Sequence, residues 1–111
     1  MITNKKIQSI LAFLECDESF LNELLVIYKE ELKLGLATLK SKSCSQKQIK
    51  SVCHKLSGTA LLIKLDDLYK RLKASESLAE QNNCSEDNLK ETVSIIDSYQ
   101  KSIKPISDIS N

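Results

Sequence analysis

The sequence predicts an all-α fold: an antiparallel, up-down four-helix bundle with a short extra N-terminal helix. The 111 residues contain only two glycines and one proline, which is too few for the tight turns that connect strands. Apolar residues recur with helical spacing along the chain. Because the connections between the predicted helices are short, consecutive long helices are expected to pack in opposite directions.

Each of the five predicted helices carries an apolar stripe along one face. In chain order the stripes are Ile7, Ile10, Leu11 and Leu14; Leu21, Leu24, Leu25, Tyr28, Leu32, Gly35, Leu36 and Leu39; Ile49, Val52, Cys53, Leu56, Ala60 and Ile63; Leu65, Leu68, Tyr69 and Leu72; and Leu89, Val93, Ile96, Tyr99 and Ile103. Residues three and four apart share one face of a helix, so these stripes predict the core.

Polar residues predict the helix boundaries. The predicted starts are marked by Asp17, by Ser45 with Gln48 in a capping box, by Asp66 or Asp67, and by Ser85. The first two helices are expected over about residues 4–15 and 18–41. Pro105 is expected to end the last helix. The helical core then spans about 4–103, and the polar tail 104–111 is expected to fray.

Composition and charge exclude several classes of protein. Hydrophobic residues make up 41% and charged residues 28%, which predicts one globular domain over residues 1–111. With 16 basic and 15 acidic residues, the chain lacks the basic excess of a nucleic-acid-binding protein. No run of 18 apolar residues is present, so membrane insertion is not expected. The polar start, Met1–Lys6, predicts no export signal and therefore a cytoplasmic location.

The four cysteines do not suggest a metal site or a thiol enzyme. Cys16, Cys44, Cys53 and Cys84 are widely spaced and form no CxxC pair, so no metal is expected. In a reducing compartment we expect structural or incidental thiols. Cys53 and His54 are adjacent on the third helix and do not face each other, so they are not a nucleophile–base pair.

The single histidine, His54, is predicted on an exposed flank of the third helix. At about 100° per residue it lies about 140° from Ile49, which marks the core stripe. Gly58 falls near 180° on the same count, and an interior glycine costs about 1 kcal/mol relative to alanine. Bare backbone beside the imidazole would let another protein approach closely, whereas packing within the bundle is a weak explanation at that angle. Leu61, one turn further, is also expected off the core.

An exposed imidazole at this position has two interpretations. A solvent-facing histidine is largely neutral near pH 7, and its free nitrogen is a nucleophile that is able to hold a phosphoryl group as a phosphoramidate. Lys50 would partly neutralise that phosphate, and the hydroxyl of Ser57 would hydrogen bond to it. The alternative, which geometry alone leaves open, is that a lone exposed histidine has no function.

The segment His54-Lys55-Leu56-Ser57-Gly58-Thr59-Ala60 resembles the core of histidine-containing phosphotransfer (HPt) domains of phosphorelays. That core reads roughly as histidine, any residue, leucine, lysine, glycine and small residues, with leucine again on the next helix. The matching positions are His54, Leu56, Gly58, Thr59, Ala60 and Leu68. The resemblance extends over about residues 4–103. Two positions depart from it: Ser57 stands where lysine is usual, and Lys64 stands where a small residue is common.

The resemblance implies a phosphorelay intermediate rather than an enzyme. His54 would accept a phosphoryl group from the phospho-aspartate of a receiver domain, in a response regulator or hybrid histidine kinase, and pass it to or back from another receiver. The divalent metal would belong to the receiver, and this chain has no GxxxxGK[ST] nucleotide loop, so no cofactor of its own is expected. Lys47, Lys55 and Leu61 would dock the receiver, and a monomer is expected.

A second function class stays open beside phosphotransfer. A non-catalytic helical module would bind and inhibit a receiver or histidine kinase without being phosphorylated. Because both would use the face around His54, phosphate uptake on that residue distinguishes them.

Overall fold

The computed structural model describes residues 2–108, which contain helices and no strand. The elements are α1 (Asn4–Leu14), α2 (Glu18–Lys40), α3 (Gln46–Leu62), α4 (Asp66–Glu80) and α5 (Glu86–Ser102), followed by a short 3-10 helix at Ile106–Asp108. The predicted all-α class and the five helices are confirmed. The helices pack side by side in a manner compatible with a bundle.

Three of the four predicted helix starts carry a side-chain cap, because short polar side chains satisfy free backbone N–H groups. The helix α4 begins at Asp66 as predicted, but its N-cap is Leu65 and no side chain caps it. The Asp17 side chain accepts a hydrogen bond from the Phe20 backbone N–H at 2.9 Å. Ser45 and Gln48 form the predicted capping box, with hydrogen bonds of 3.1 and 2.8 Å in the two directions. Ser85 caps α5 in the same way as Asp17 caps α2. These local signals set the helix starts.

The connection between α3 and α4 is short and tightly hydrogen bonded. The N–H of Leu65 donates to the Ala60 carbonyl at 2.9 Å, and the N–H of Lys64 donates to the Leu61 carbonyl at 3.3 Å. This is a Schellman motif, and Lys64 takes its left-handed position with φ 57°. The Lys6 ammonium donates to the Lys64 carbonyl at 2.7 Å, which ties α1 to this connection.

The core follows the predicted stripes. The largest fully enclosed side chains are Ile7, Ile10, Leu21, Leu25, Tyr28, Leu32, Leu56, Ile63, Leu65, Leu68, Leu72 and Ile96. Burying one such side chain contributes roughly 1.5–3 kcal/mol to folding. Ile2 is also buried in this core. It lies in the segment that the sequence marked as polar, because an isolated apolar residue ahead of a helix belongs to no periodic stripe.

Helices α2 and α3 approach each other closely at Gly35. A Cβ atom at Gly35 would lie 3.0 Å from Cδ1 of Leu56 and 3.1 Å from Cγ1 of Val52. Nearby, the hydroxyl of buried Tyr28 donates to the Leu56 carbonyl at 2.7 Å. The absence of a side chain at residue 35 therefore lets the two helices meet.

The segment after α5 contacts the start of α2 and the core, and whether the tail frays, as the sequence predicts, stays a prediction. The N–H of Ile106 donates to Oδ1 of Asn22 at 2.9 Å, and the Lys29 ammonium donates to the Ile103 carbonyl at 2.8 Å. Ile106 also packs against the core. The prediction for residues 109–111 lies outside the described residues.

Several large apolar side chains remain on the surface. They are Phe13, Phe20, Val26, Ile27, Leu34, Leu61 and Leu62. None of the helices within residues 2–108 has the length and apolar character needed to cross a membrane.

Candidate functional site

His54 lies on the outer flank of α3, as its helical angle predicted. Its side chain is 73% exposed, whereas the adjacent Cys53 and nearby Leu56 are buried. The imidazole therefore stands at the surface of a helix whose opposite face is anchored in the core. This combination holds the backbone of the histidine firmly and leaves the ring accessible.

A carboxylate on the neighbouring helix α4 holds the ring. Oε2 of Glu76 lies 2.9 Å from Nδ1 of His54, and Oε1 of Glu76 lies 3.0 Å from Nζ of Lys73. The Glu76 side chain is only 14% exposed, although it contacts two exposed groups. One carboxylate thus joins the imidazole to an ammonium group.

The electrostatics of Glu76 determine which way the proton is shared. Burial raises the pKa of the Glu76 carboxyl, but hydrogen bonds from Lys73 and His54 lower it by more, so the net pKa is below its usual value. An ionised carboxylate only accepts hydrogen bonds. Nδ1 of His54 is therefore the donor in this contact, and in the neutral ring the nucleophilic lone pair is on Nε2.

The site repeats along the contact between α3 and α4. One turn before His54, Nζ of Lys50 lies 3.3 Å from Oε1 of Glu80, one turn after Glu76. A step of one turn forward along α3 is thus matched by one turn back along α4. Glu76 is the partner of His54 that sequence reasoning missed. The spacing of the residues could have indicated it. Glu76 and Glu80 are four residues apart, as are Lys50 and His54, so two antiparallel helices can pair them.

Gly58 leaves an open surface beside the imidazole. No atom outside the local helix backbone lies within 4 Å of a Cβ built at this position. Close packing within the fold is therefore not the reason for the glycine, in agreement with its predicted angle. Leu61, one turn further, is 52% exposed, as expected. The face of α3 that carries the imidazole thus has an open position at Gly58 and an exposed leucine one turn further.

Ser57 is not placed as the sequence suggested. The residue is only 4% exposed, and its hydroxyl donates to the His54 backbone carbonyl at 2.8 Å. A serine hydroxyl within a helix commonly bonds to a carbonyl of the preceding turn. The prediction that this hydroxyl donates to a phosphate is therefore corrected, because the hydroxyl is buried and already donates to the His54 carbonyl.

The three lysines predicted to serve phosphate stabilisation or receiver docking lie on different flanks of α3. Lys47 is exposed, and Lys50 lies on the α4 side, where it contacts Glu80. Lys55 points to the α2 side, with Nζ 3.8 Å from Oε2 of Glu31. The structure thus separates Lys55 from the face that carries the imidazole.

The remaining chemistry-bearing side chains do not form a second site. Within residues 2–108, no group of three or more histidine, cysteine or acidic side chains is arranged to hold a metal ion. All four cysteines are free. Burial, together with nearby Cys84, raises the pKa of the Cys53 thiol to about 12, so this thiol stays protonated.

No protein-family model matches this sequence, and neither a curated protein nor a solved structure matches it.

The arrangement of the site defines its chemistry. His54 offers an accessible imidazole nitrogen, Glu76 orients the ring and compensates positive charge on it, and Lys73 brings a cation to the same carboxylate. Such a group is suited to accept and release a small electrophilic anion.

Proposed function

We propose that this chain is a phosphotransfer domain in which His54 carries the phosphoryl group between receiver domains. One observation carries the proposal: Glu76 holds Nδ1 of His54, while the side chain is 73% exposed and Gly58, one turn away, has open space around it. Nε2 is therefore the nitrogen left for a partner. The resemblance of the surrounding segment to HPt domains supports the same conclusion.

The reaction is a reversible transfer at Nε2. The lone pair of Nε2 forms a bond to phosphorus while the bond between phosphorus and the receiver's aspartate oxygen breaks, and the aspartate leaves as a carboxylate. The ring keeps its Nδ1 proton and becomes positively charged, facing the Glu76 carboxylate. Positioning and charge stabilisation do most of the work in such transfers, and the receiver supplies the divalent metal.

An antiparallel four-helix bundle of α2–α5, with α1 across one end, is the architecture that we propose. The matched pairs Lys50–Glu80 and His54–Glu76 support opposite directions for α3 and α4. Asn22 lies near the start of α2, and Ile106 lies just after the end of α5. The hydrogen bond between them therefore supports opposite directions for α2 and α5. Such a bundle presents His54 on a rigid convex face that fits into a receiver's active-site cleft.

Receiver docking would use the α4-facing side of α3. Leu61 offers apolar contact, and Lys47 and Lys50 offer positive charge toward an acidic receiver site. Complementary charge increases the rate of encounter more than it increases affinity. Lys55, on the α2 side, would contact only the edge of a partner. The chain itself would act as a monomer and needs no cofactor.

The proposal is tested by incubating the protein with a phosphorylated receiver. We expect an acid-labile, base-stable phosphoprotein that His54→Gln abolishes while circular dichroism stays unchanged. Ser51→Gln, on the exposed surface of the same helix, is the matched control and should be labelled like the wild type. Labelling that persists in His54→Gln would contradict the assignment. Stable receiver binding without labelling would favour the non-catalytic binding module instead.

A further inference from the structure

The Glu76 carboxylate has two partners, and only one of them is the histidine. The second is Lys73, whose Nζ lies 3.0 Å from Oε1, and whose side chain is 43% exposed. The hydrogen bond to Glu76 raises the pKa of Lys73, so the ammonium is charged throughout the neutral range. A charged ammonium group therefore contacts the same carboxylate that holds the imidazole.

We propose that Lys73, on α4, supplies the positive charge that stabilises a phosphoryl group on His54. The inference rests on the proposed function of His54 as phosphoacceptor. A phosphoryl group carries up to about two negative charges near pH 7. Placed beside the ionised Glu76 carboxylate, it would be repelled unless a cation were close to both. Lys73 already contacts Glu76, and its flexible four-carbon stem allows the ammonium to reach a phosphoryl oxygen.

The positions of Ser57 and Lys50 favour Lys73 over any cation on α3. Ser57 is buried, and its hydroxyl is bonded within its own helix. Ser57 lies three residues after His54, and Lys73 lies three residues before Glu76. Because His54 pairs with Glu76 and the two helices run in opposite directions, Lys73 lies across from Ser57. Lys50 contacts Glu80, a carboxylate that has no contact with His54.

The ordinary alternative is that Lys73 and Glu76 are a surface ion pair three residues apart on one helix. Exposed pairs of this kind contribute little to stability and nothing to chemistry. The two interpretations differ in one measurable respect. A surface pair leaves the reactivity of His54 unchanged when Lys73 is replaced, whereas a phosphate-stabilising cation does not.

The experiment uses phosphoramidate, a small phosphoryl donor that needs no receiver. Nε2 of His54 forms a bond to phosphorus as the phosphorus–nitrogen bond of the donor breaks and ammonia leaves. The rate is followed by phosphorus NMR on the full chain. We expect Lys73→Gln to lower this rate about five- to tenfold, since hydrogen bonds to charged groups are the stronger class. Lys73→Arg keeps the charge and should stay within about twofold of the wild type. The matched control Lys90→Gln, at an exposed lysine of α5, should do the same.

Equal rates for Lys73→Gln and wild type, or an equal loss of rate in Lys90→Gln, would overturn the assignment of Lys73. Thermal unfolding of each variant separates reactivity from stability. Because phosphoramidate bypasses protein partners, the outcome is distinct from a failure of the proposed function. A wild-type chain that phosphoramidate labels on His54 but that no phosphorylated receiver labels would contradict phosphotransfer while still reporting the effect of Lys73.

Discussion

Nδ1 of His54 lies 2.9 Å from Oε2 of Glu76, across the contact between α3 and α4. The His54 ring is largely exposed, whereas the Glu76 carboxylate is largely buried. A buried group therefore fixes the orientation of a side chain on the surface. It also selects the reactive nitrogen, because a ring that donates from Nδ1 in its neutral form has its lone pair on Nε2.

Removing the Glu76 carboxylate is expected to slow phosphoryl uptake on His54. Glu76→Ala should lower the rate with phosphoramidate about tenfold, equivalent to about 1.4 kcal/mol, because the ring loses the acceptor that orients it. Glu76→Gln keeps an oxygen acceptor, so its rate should lie between the rates of the wild type and Glu76→Ala. Nitrogen NMR should show the neutral ring protonated on Nδ1 in the wild type and shifted toward Nε2 in Glu76→Ala. Glu80→Ala is the control, and an equal effect there would contradict the specific role of Glu76.

The two glycines are expected to respond in opposite ways to alanine. Gly58→Ala should raise the free energy of unfolding by about 0.5–1 kcal/mol, because the new methyl group meets open space and alanine favours the helix. Gly35→Ala should lower it, since overpacking at Leu56 and Val52 costs about 1–3 kcal/mol and exceeds the helical gain. Urea unfolding measures both, and equal changes at the two positions would contradict the packing described for α2 and α3.

A large side chain at Gly58 is expected to block a partner rather than to unfold the protein. Gly58→Glu should slow transfer from a phosphorylated receiver far more than it changes the urea midpoint, because the space beside His54 is open to solvent. Gly58→Ala is the matched control and should transfer at close to the wild-type rate. If Gly58→Glu and wild type exchange phosphate equally fast, access at this position has no functional role.

Asp67 is expected to make stability depend on acid. The hydroxyl of Tyr99 donates to the Asp67 carboxylate and lowers the pKa of Asp67, an effect that burial partly opposes. A folded pKa below the unfolded one stabilises the fold above the unfolded pKa of about 3.9, and this contribution is lost as pH falls through the folded pKa. Tyr99→Phe should therefore lose less stability than the wild type on acidification.

The matched control for that measurement is Tyr69→Phe, since Tyr69 is half-buried on α4 and its hydroxyl makes no hydrogen bond to Asp67. Urea unfolding from neutral pH down to about pH 2 supplies the data, a range that spans the unfolded pKa. A wild type and a Tyr99→Phe variant with parallel pH profiles would contradict the role of this hydrogen bond.

Cys53 is expected to resist thiol reagents in the folded protein. Burial, with a contribution from nearby Cys84, raises the pKa of the thiol to about 12, and the thiolate is the reactive form. Mass spectrometry after iodoacetamide treatment should show Cys53 modified only once urea unfolds the chain, whereas half-buried Cys16 should be modified earlier. Modification of Cys53 at the rate of Cys16 under native conditions would contradict its placement in the core.

Local interactions made much of this protein predictable from its sequence. The caps at Asp17, Ser45 and Ser85 act within one helical turn, so their effect is readable from neighbouring residues. The period of the helix places apolar residues on one face, and that alone predicted the core and the exposure of His54. Gly58 was assigned to an open surface for the same reason.

Only the tertiary structure decided which groups meet across helices. The pairing of His54 with Glu76, the burial of Ser57 and the anchoring of Ile106 by Asn22 all depend on how segments far apart in the chain align. Helical periodicity defines the faces of each helix, but the rotation and register between two helices follow from the packing of the whole core. The sequence by itself thus identified the exposed histidine, and the packing of α4 against α3 determined the carboxylate and the lysine that surround it.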